Sequence, residues 1–307
     1  MRSPDATAAD LAATQHGLIT YRQALEVGLS PAAVRTRADT GRWARVARGV
    51  YRIGGAPVTW QQRAMAAHLG APPGNVTSHL TAGALADLDL VPPPLPYLTV
   101  ERGRSLRWPG AVVHSARLPP AEVTVFQGVP ATTVARTLID CATLLGPHRL
   151  QKLVDEALHQ RLADPAQIDA AWDLARRAPG RAGEVRLRSA LEPWAGPIRP
   201  GSPAEVRLQR QLAAWGLPAP ELQIPVRDQG GRVLGLVDVG WRRVQIGIEY
   251  DSAEFHGPRR WRHDEERHRA IERQGWVLLR ADKLDLQPGA SRLRDAVLTE
   301  WRRRRAA

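Results

Sequence analysis

The chain has 307 residues, 43% hydrophobic and 24% charged, a balance that suits a globular protein of two or three domains. Basic residues outnumber acidic ones by 43 to 31, giving a net charge of +12, and all of them except Lys152 and Lys283 are arginine. That excess points to a polyanionic partner. No apolar run approaches the ~20 residues that span a bilayer, which excludes a membrane-embedded class.

The opening MRSPDATAADLAATQ has no apolar core of a secretion signal, so the expectation is a cytoplasmic protein. The single cysteine, Cys141, sits in the apolar stretch TLIDCATLLG and reads as a small core hydrophobe.

Residues 8 to 53 read as three short helices and a hairpin. The first helix carries Leu11 and stops near Gly17. The second starts at Thr20, an N-cap residue type, and the third at Ser30-Pro31, a capping hydroxyl before proline at the first helical position. RWARVARGVYRI then reads as a short hairpin, with Trp43, Val46 and Val50 alternating imperfectly with arginines around Gly49. Helix, helix, basic helix and basic hairpin is the order of a winged helix-turn-helix. A recognition helix lies in the major groove while a wing tracks phosphates, so both need cations. Arg35, Arg37, Arg42, Arg45 and Arg48 are the candidates for contact with duplex DNA.

Residues 58 to 191 read as a mixed α/β middle region. VTWQQRAMAAHLGA and SHLTAGALADL are helical by composition; YLTVE, AVVHS and EVTVFQGVPA read as strands; the chain is helical again from Thr133 to Ala178. His79 and His114 are conspicuous, and both read as structural. EPWAGPIRPGSP, residues 192 to 203, is rich in proline and glycine and reads as a linker.

The last region, 204 to 307, reads as α-β-β-β-α-β-α. Asp238 interrupts an apolar strand, VLGLVDVGW, where an unpaired carboxylate is costly. Glu249 and Asp251, two apart on the next strand, point to one face. Three carboxylates on neighbouring strands repel unless something offsets them, and a hard divalent cation such as Mg²⁺ or Mn²⁺ does so through oxygen ligands. Such an ion activates water against a phosphodiester. Arg242, Arg243, Arg259, Arg260 and Arg267 flank these acids in sequence and would suit a nucleic-acid substrate; the alternative is that Glu249 and Asp251 are strand-end residues salt-bridged to those arginines.

VDVGW and IEYDSAEFHG, followed by WRHDEERHRAIERQGWVLLR, resemble the endonuclease-like domain related to very-short-patch-repair endonucleases, of the PD-(D/E)XK nuclease superfamily. The resemblance covers about 202 to 300. It implies that Asp238 and Glu249 hold the metal, that Glu205 assists from the preceding helix, and that His256 and Arg267 sit around the scissile phosphate. The superfamily usually has lysine two residues after the second acid; here that place holds Asp251, as third ligand or base. At the front, HGLITYRQALEVGLSPAAVR and GRWARVARGVYRI, with SHLTAGAL and VPATTVARTLIDCA, resemble AbiEi antitoxin-like proteins, which implies a cognate toxin as a partner.

The expectation is thus an α+β multidomain chain: a winged helix-turn-helix over 1–57, a mixed middle region over 58–191, a linker over 192–203, and a restriction-endonuclease-like α/β domain over 204–307. The leading functional expectation is a metal-dependent DNA endonuclease joined to a DNA reader. The alternative is a non-enzymatic transcriptional repressor, an antitoxin-like regulator with a degenerate nuclease fold.

Overall fold

The computed structural model describes residues 3–101, 107–176, 183–195, 200, 202–250, 258–287 and 289–306; the side chains of 175, 176 and 258–264 also lie outside the description. The chain divides into two compact units, Met1–Ala190 and Leu191–Ala307, each mixing helices with sheet. Residues 1–57 and the following region to 190, expected as separate domains, share the first unit.

The first unit opens with α1 (Pro4–Ala13), β1 (Leu18–Thr20), α2 (Tyr21–Glu26), α3 (Pro31–Asp39), β2 (Trp43–Ala47) and β3 (Val50–Ile53). Local chemistry sets these boundaries. Ser3 and Ser30 each precede proline and accept a hydrogen bond from a first-turn amide, and Thr20 with Gln23 forms a reciprocal capping box at α2. The three strands form one antiparallel sheet in the order β1-β3-β2. Its core is small: Ala8, Ala12, Ile19, Ala24, Val34, Trp43 and Tyr51. Val46 departs from the expected alternation. The β2–β3 register shifts between Arg45 and Ala47, and this bulge leaves Val46 40% exposed.

Next come α4 (Trp60–Gly70), β4 (Asn75–Thr77), α5 (His79–Leu85), β5 (Tyr97–Glu101), β6 (Val112–Ala116), β7 (Val123–Phe126) and β8 (Val129–Thr132). The strands form a mixed five-stranded sheet, β6-β5-β4-β8-β7. Helices α6 (Val134–Cys141), α7 (Pro147–His159), α8 (Pro165–Arg176) and α9 (Glu184–Leu191) complete this part. Every residue of α6 is buried, Cys141 included, and burial drives the Cys141 thiol pKa far up, as its reading as a core residue requires.

The stretch 192–203 differs from a plain linker. Glu192–Trp194 forms a 3-10 turn with Trp194 buried, and Ser202-Pro203 caps the next helix.

The second unit runs α10 (Pro203–Ala214), β9 (Glu221–Arg227), β10 (Val233–Trp241), β11 (Ile246–Tyr250), α11 (Pro258–Glu272), β12 (Val277–Ala281) and α12 (Arg292–Ala306). The sheet order is β12-β11-β10-β9, with an antiparallel meander through β9, β10 and β11 and a parallel pairing of β11 with β12. Both faces are covered. Leu208, Leu212, Leu293 and Val297 from α10 and α12 pack on Val239, Ile246 and Ile248, while Ile271 of α11 packs with Val226, Val237 and Leu278. Gly240 and Gly247 face one another across β10 and β11, where a Cβ on Gly240 would lie 2.4 Å from the Ile246 carbonyl oxygen and one on Gly247 would lie 2.6 Å from a Val237 methyl.

Candidate functional site

On the third helix and the hairpin, Arg35, Arg42, Arg45 and Arg48 are exposed. The Arg45 guanidinium lies 5.8 Å from the centroid of the Tyr51 ring and donates to its hydroxyl at 3.4 Å, which steadies the wing without burying the charge. Arg37 behaves differently and corrects its placement among the outward-facing cations. Its guanidinium donates to both Asp5 carboxylate oxygens at 2.7 and 2.8 Å and to the Ala33 carbonyl at 2.7 Å, and it covers the Trp43 ring at 5.8 Å. With its side chain only 14% exposed, Arg37 ties α1 to α3.

Among the acids of the second unit, Asp238 lies where the sheet is irregular. Val237 packs on the α11 side and Val239, two residues on, packs with α10 and α12 on the other face. Gln223, across from Asp238 on β9, takes a positive φ of 49°. The Asp238 carboxylate bridges this gap: Oδ1 accepts from Gln223 Nε2 at 3.3 Å and Oδ2 accepts from the Tyr250 backbone amide at 3.2 Å. A side chain therefore serves Tyr250 N, one residue past the Glu249 position, where the β10–β11 ladder has already ended at the Val239–Ile248 pair.

Glu249 is held from α11. Arg267 Nη1 lies 3.1 Å from its Oε1 and Arg267 Nη2 donates to its Oε2 at 3.2 Å, while His268 Nδ1 lies 3.6 Å from Oε2. Arg267 also donates to the Leu236 carbonyl at 3.1 Å, so it spans from β10 to β11. Glu205 is buried at the first turn of α10, where Ser202 Oγ donates to its carboxylate at 3.2 Å and accepts from its amide at 3.2 Å.

Asp251 and His256 lie outside the described residues, as do the side chains of Arg259 and Arg260. Among the described residues, no group of three or more His, Cys, Asp or Glu side chains is arranged to hold a metal ion. Arg242 and Arg243 sit in the β10–β11 turn, and Glu249 is toward the other end of β11. Arg242 instead pairs with Glu221 at 3.3 Å.

One polar cluster of the first unit escaped the sequence, and a second joins residues that it had singled out. Arg136, only 1% exposed, pairs with Glu122 and, at 3.0 Å, with Asp140 one helical turn on. The available signal was an Arg and an Asp four apart inside an otherwise apolar helix. Nearby, the His79 and His114 rings stack at 4.0 Å, with Tyr97 at 5.5 and 5.7 Å from them. Ser78 Oγ lies 2.9 Å from His79 Nδ1, and Thr99 donates to Ser78 at 2.7 Å. Burial lowers the His114 pKa, against the opposing charge of Asp140, and burial likewise lowers that of His68.

Residues 7–54 match a family model described as "Transcriptional regulator, AbiEi antitoxin". Two Mycobacterium tuberculosis relatives, the uncharacterized proteins MT2308 and Rv2248, are each 30% identical over 183 residues, which is 59% of this chain. The match spans 65% of the length of each of these relatives. The crystal structure of the RV2827C protein from the same organism aligns at 15% identity with a TM-score of 0.41, covering 68% of this chain and 80% of that one. No helix among the described residues is long and apolar enough to cross a membrane.

Proposed function

We propose, from the match of residues 7–54 to antitoxin-type transcriptional regulators, that this chain is a DNA-binding regulator that reads duplex DNA with α3 and the β2–β3 wing. The carrying observation is the exposure of Arg35, Arg45 and Arg48 on those two elements and of Arg42 between them, while Arg37, in the same run, is turned inward onto Asp5. An exposed guanidinium keeps its forked donors for phosphate oxygens or guanine edges. The antitoxin description of the matched family extends the reading to a cognate toxin as a second partner. Electrophoretic shifts in a salt series test the DNA reading. Arg45→Ala with Arg48→Ala should flatten the slope of log affinity against log salt by about 2, at ~0.9 per lost phosphate contact. A double variant with the wild-type slope would remove the wing from the interface.

The second unit favours a second reading, a metal-dependent DNA endonuclease of the PD-(D/E)XK kind. Its specific support is the α-β-β-β-α-β-α order with Asp238 and Glu249 on adjacent strands. On that reading Mg²⁺ or Mn²⁺ would bind Asp238, Glu249 and Asp251 and supply Lewis-acid and water-activating chemistry, with Glu205, His256 and Arg267 around the phosphate. The engagement of Glu249 by Arg267, and of Asp238 by the Tyr250 amide, places this reading second, because an entering ion would have to displace both. Plasmid nicking that requires Mn²⁺ or Mg²⁺, stops with chelator and is lost in Asp238→Asn would promote it to first.

A further inference from the structure

Three segments meet at one end of the second unit's sheet. The β10–β11 turn, residues 242–245, accepts a hydrogen bond on the Val244 carbonyl from Arg304 Nη1 at 3.3 Å, and Trp301 of α12 packs edge-on against Trp241 at 4.9 Å. From the other side comes the α11–β12 turn. Gln245 Nε2 donates to the Gln274 carbonyl at 3.1 Å, and the Val277 amide donates to the Gln245 carbonyl at 2.8 Å. Arginines crowd all three: Arg242 and Arg243 on the first turn, Arg273 on the second, and the run 302–305 on α12. All of them are exposed except Arg304, which is partly covered.

The acids close by offset only part of this charge. Glu221 pairs with Arg242 at 3.3 Å and Glu300 with Arg303 at 2.7 Å, while Glu272 faces His268 at 3.6 Å. The negative end of a helix dipole favours a cation or two in its last turn, which is fewer than this end carries. Helical phase sorts the run further. Trp301 and Arg304, three apart, meet the sheet, and the neighbouring Arg302, Arg303 and Arg305 are exposed. Clustered like charges repel, so this end is electrostatically unfavourable until a polyanion covers it.

We infer that this end of the second unit is a second phosphate-backbone surface for duplex DNA, separate from the wing and from the Asp238–Glu249 pair. The choice of DNA among polyanions rests on the DNA-binding reading above; the surface itself does not. Guanidinium forks match pairs of phosphate oxygens. The two tryptophans here pack edge to face against each other, with Trp241 buried, so they offer no open platform for unpaired bases, and duplex fits better than single strand. Glu249 lies three residues along β11 from Ile246 at this turn, about 10 Å away, which keeps the phosphates clear of the acids.

The test uses the full chain and a short duplex of mixed sequence in a salt series. Arg302→Ala with Arg303→Ala and Arg305→Ala should flatten the salt slope by about 2 to 3 and weaken binding at least about tenfold at physiological salt. Arg243→Ala with Arg273→Ala, on the two turns, should flatten it by about 2 without touching α12, which guards against mere fraying of that helix. Wild-type slopes in both variants would overturn the inference. So would displacement of the bound duplex by polyglutamate of matched charge as readily as by competing duplex, which would indicate an acidic protein partner. The wing variant separates the two ideas. If it alone loses affinity, this surface is not used; if it binds like wild type while the other two fail, the surface stands and the wing reading falls.

Discussion

On the β2–β3 hairpin of the first unit and just before it, Arg45, Arg48 and Arg42 project into solvent, and Arg45 meets a tyrosine ring and hydroxyl. In the second unit Arg267 is folded onto Glu249 and the Leu236 carbonyl, with its side chain 29% exposed and that of Glu249 13% exposed. The first arrangement leaves hydrated cations that lose little when a phosphate takes the place of water. The second has already spent the guanidinium on an internal carboxylate, in a setting where either group alone would be poorly solvated. The same residue type thus marks a binding surface in one place and a brace in the other, and exposure with partnering separates the two where composition cannot.

The largest expected effect breaks this comparison at its buried extreme. Arg136→Met should cost about 3 to 5 kcal/mol, because Glu122 and Asp140 would remain buried without their cation. Arg48→Met, at an exposed position, should stay within about 0.5 kcal/mol. Thermal and urea unfolding of the two variants checks this, and equal effects would mean the buried triad is not a brace.

The next effect sharpens the comparison at Glu249. Arg267→Gln removes a charge-assisted pair and should cost about 1 to 3 kcal/mol. It should also release Glu249 toward an ion. Millimolar Mn²⁺ should then raise the melting temperature of the variant while leaving the wild type nearly unmoved. A bound ligand at a hundred times its dissociation constant stabilises by about 2.7 kcal/mol, a shift well within detection. A clear Mn²⁺ shift in the wild type, abolished by Asp238→Asn, would instead reveal a working metal site and favour the endonuclease reading.

What the sequence made legible was mostly local. Ser30-Pro31 starts a helix, since a capping side chain and a fixed φ act within one turn. The strands β1 and β4 were missed because three residues show no period and owe their pairing to β3, β5 and β8, distant in sequence. Arg37 was grouped with the DNA-contact candidates because its partner Asp5 lies 32 residues away. At the candidate acidic site, the strands carrying Asp238 and Glu249 were legible from their apolar neighbours. An ion pair between Glu249 and one of the nearby arginines was also readable, and Arg267 makes it; that the Tyr250 amide would occupy Asp238 was not, since it depends on how β10 and β11 come together.

The smallest expected effect concerns two histidines of the first unit whose protonation burial opposes. His114 packs against His79 and Tyr97, faces the charge of Asp140, and has its pKa lowered by burial; His68 is lowered for the same reason while hydrogen-bonded to Asn75 at 2.9 Å. The sign follows from proton counting. With folded-state values below the ordinary 6.5, the unfolded chain binds more protons in the window just under that pH. The stability these residues contribute is therefore present above about pH 6.5 and is lost as pH falls through the folded-state values. Melting temperature should decline between pH 7.5 and pH 5.5, ahead of bulk carboxylate titration. His114→Gln, which keeps a polar side chain but cannot titrate, should lessen that decline, and adding His68→Gln should lessen it further. If the double variant loses stability over the same window as steeply as the wild type, neither histidine is the group resisting protonation, and the stacked pair would be a packing feature with no share in the pH response.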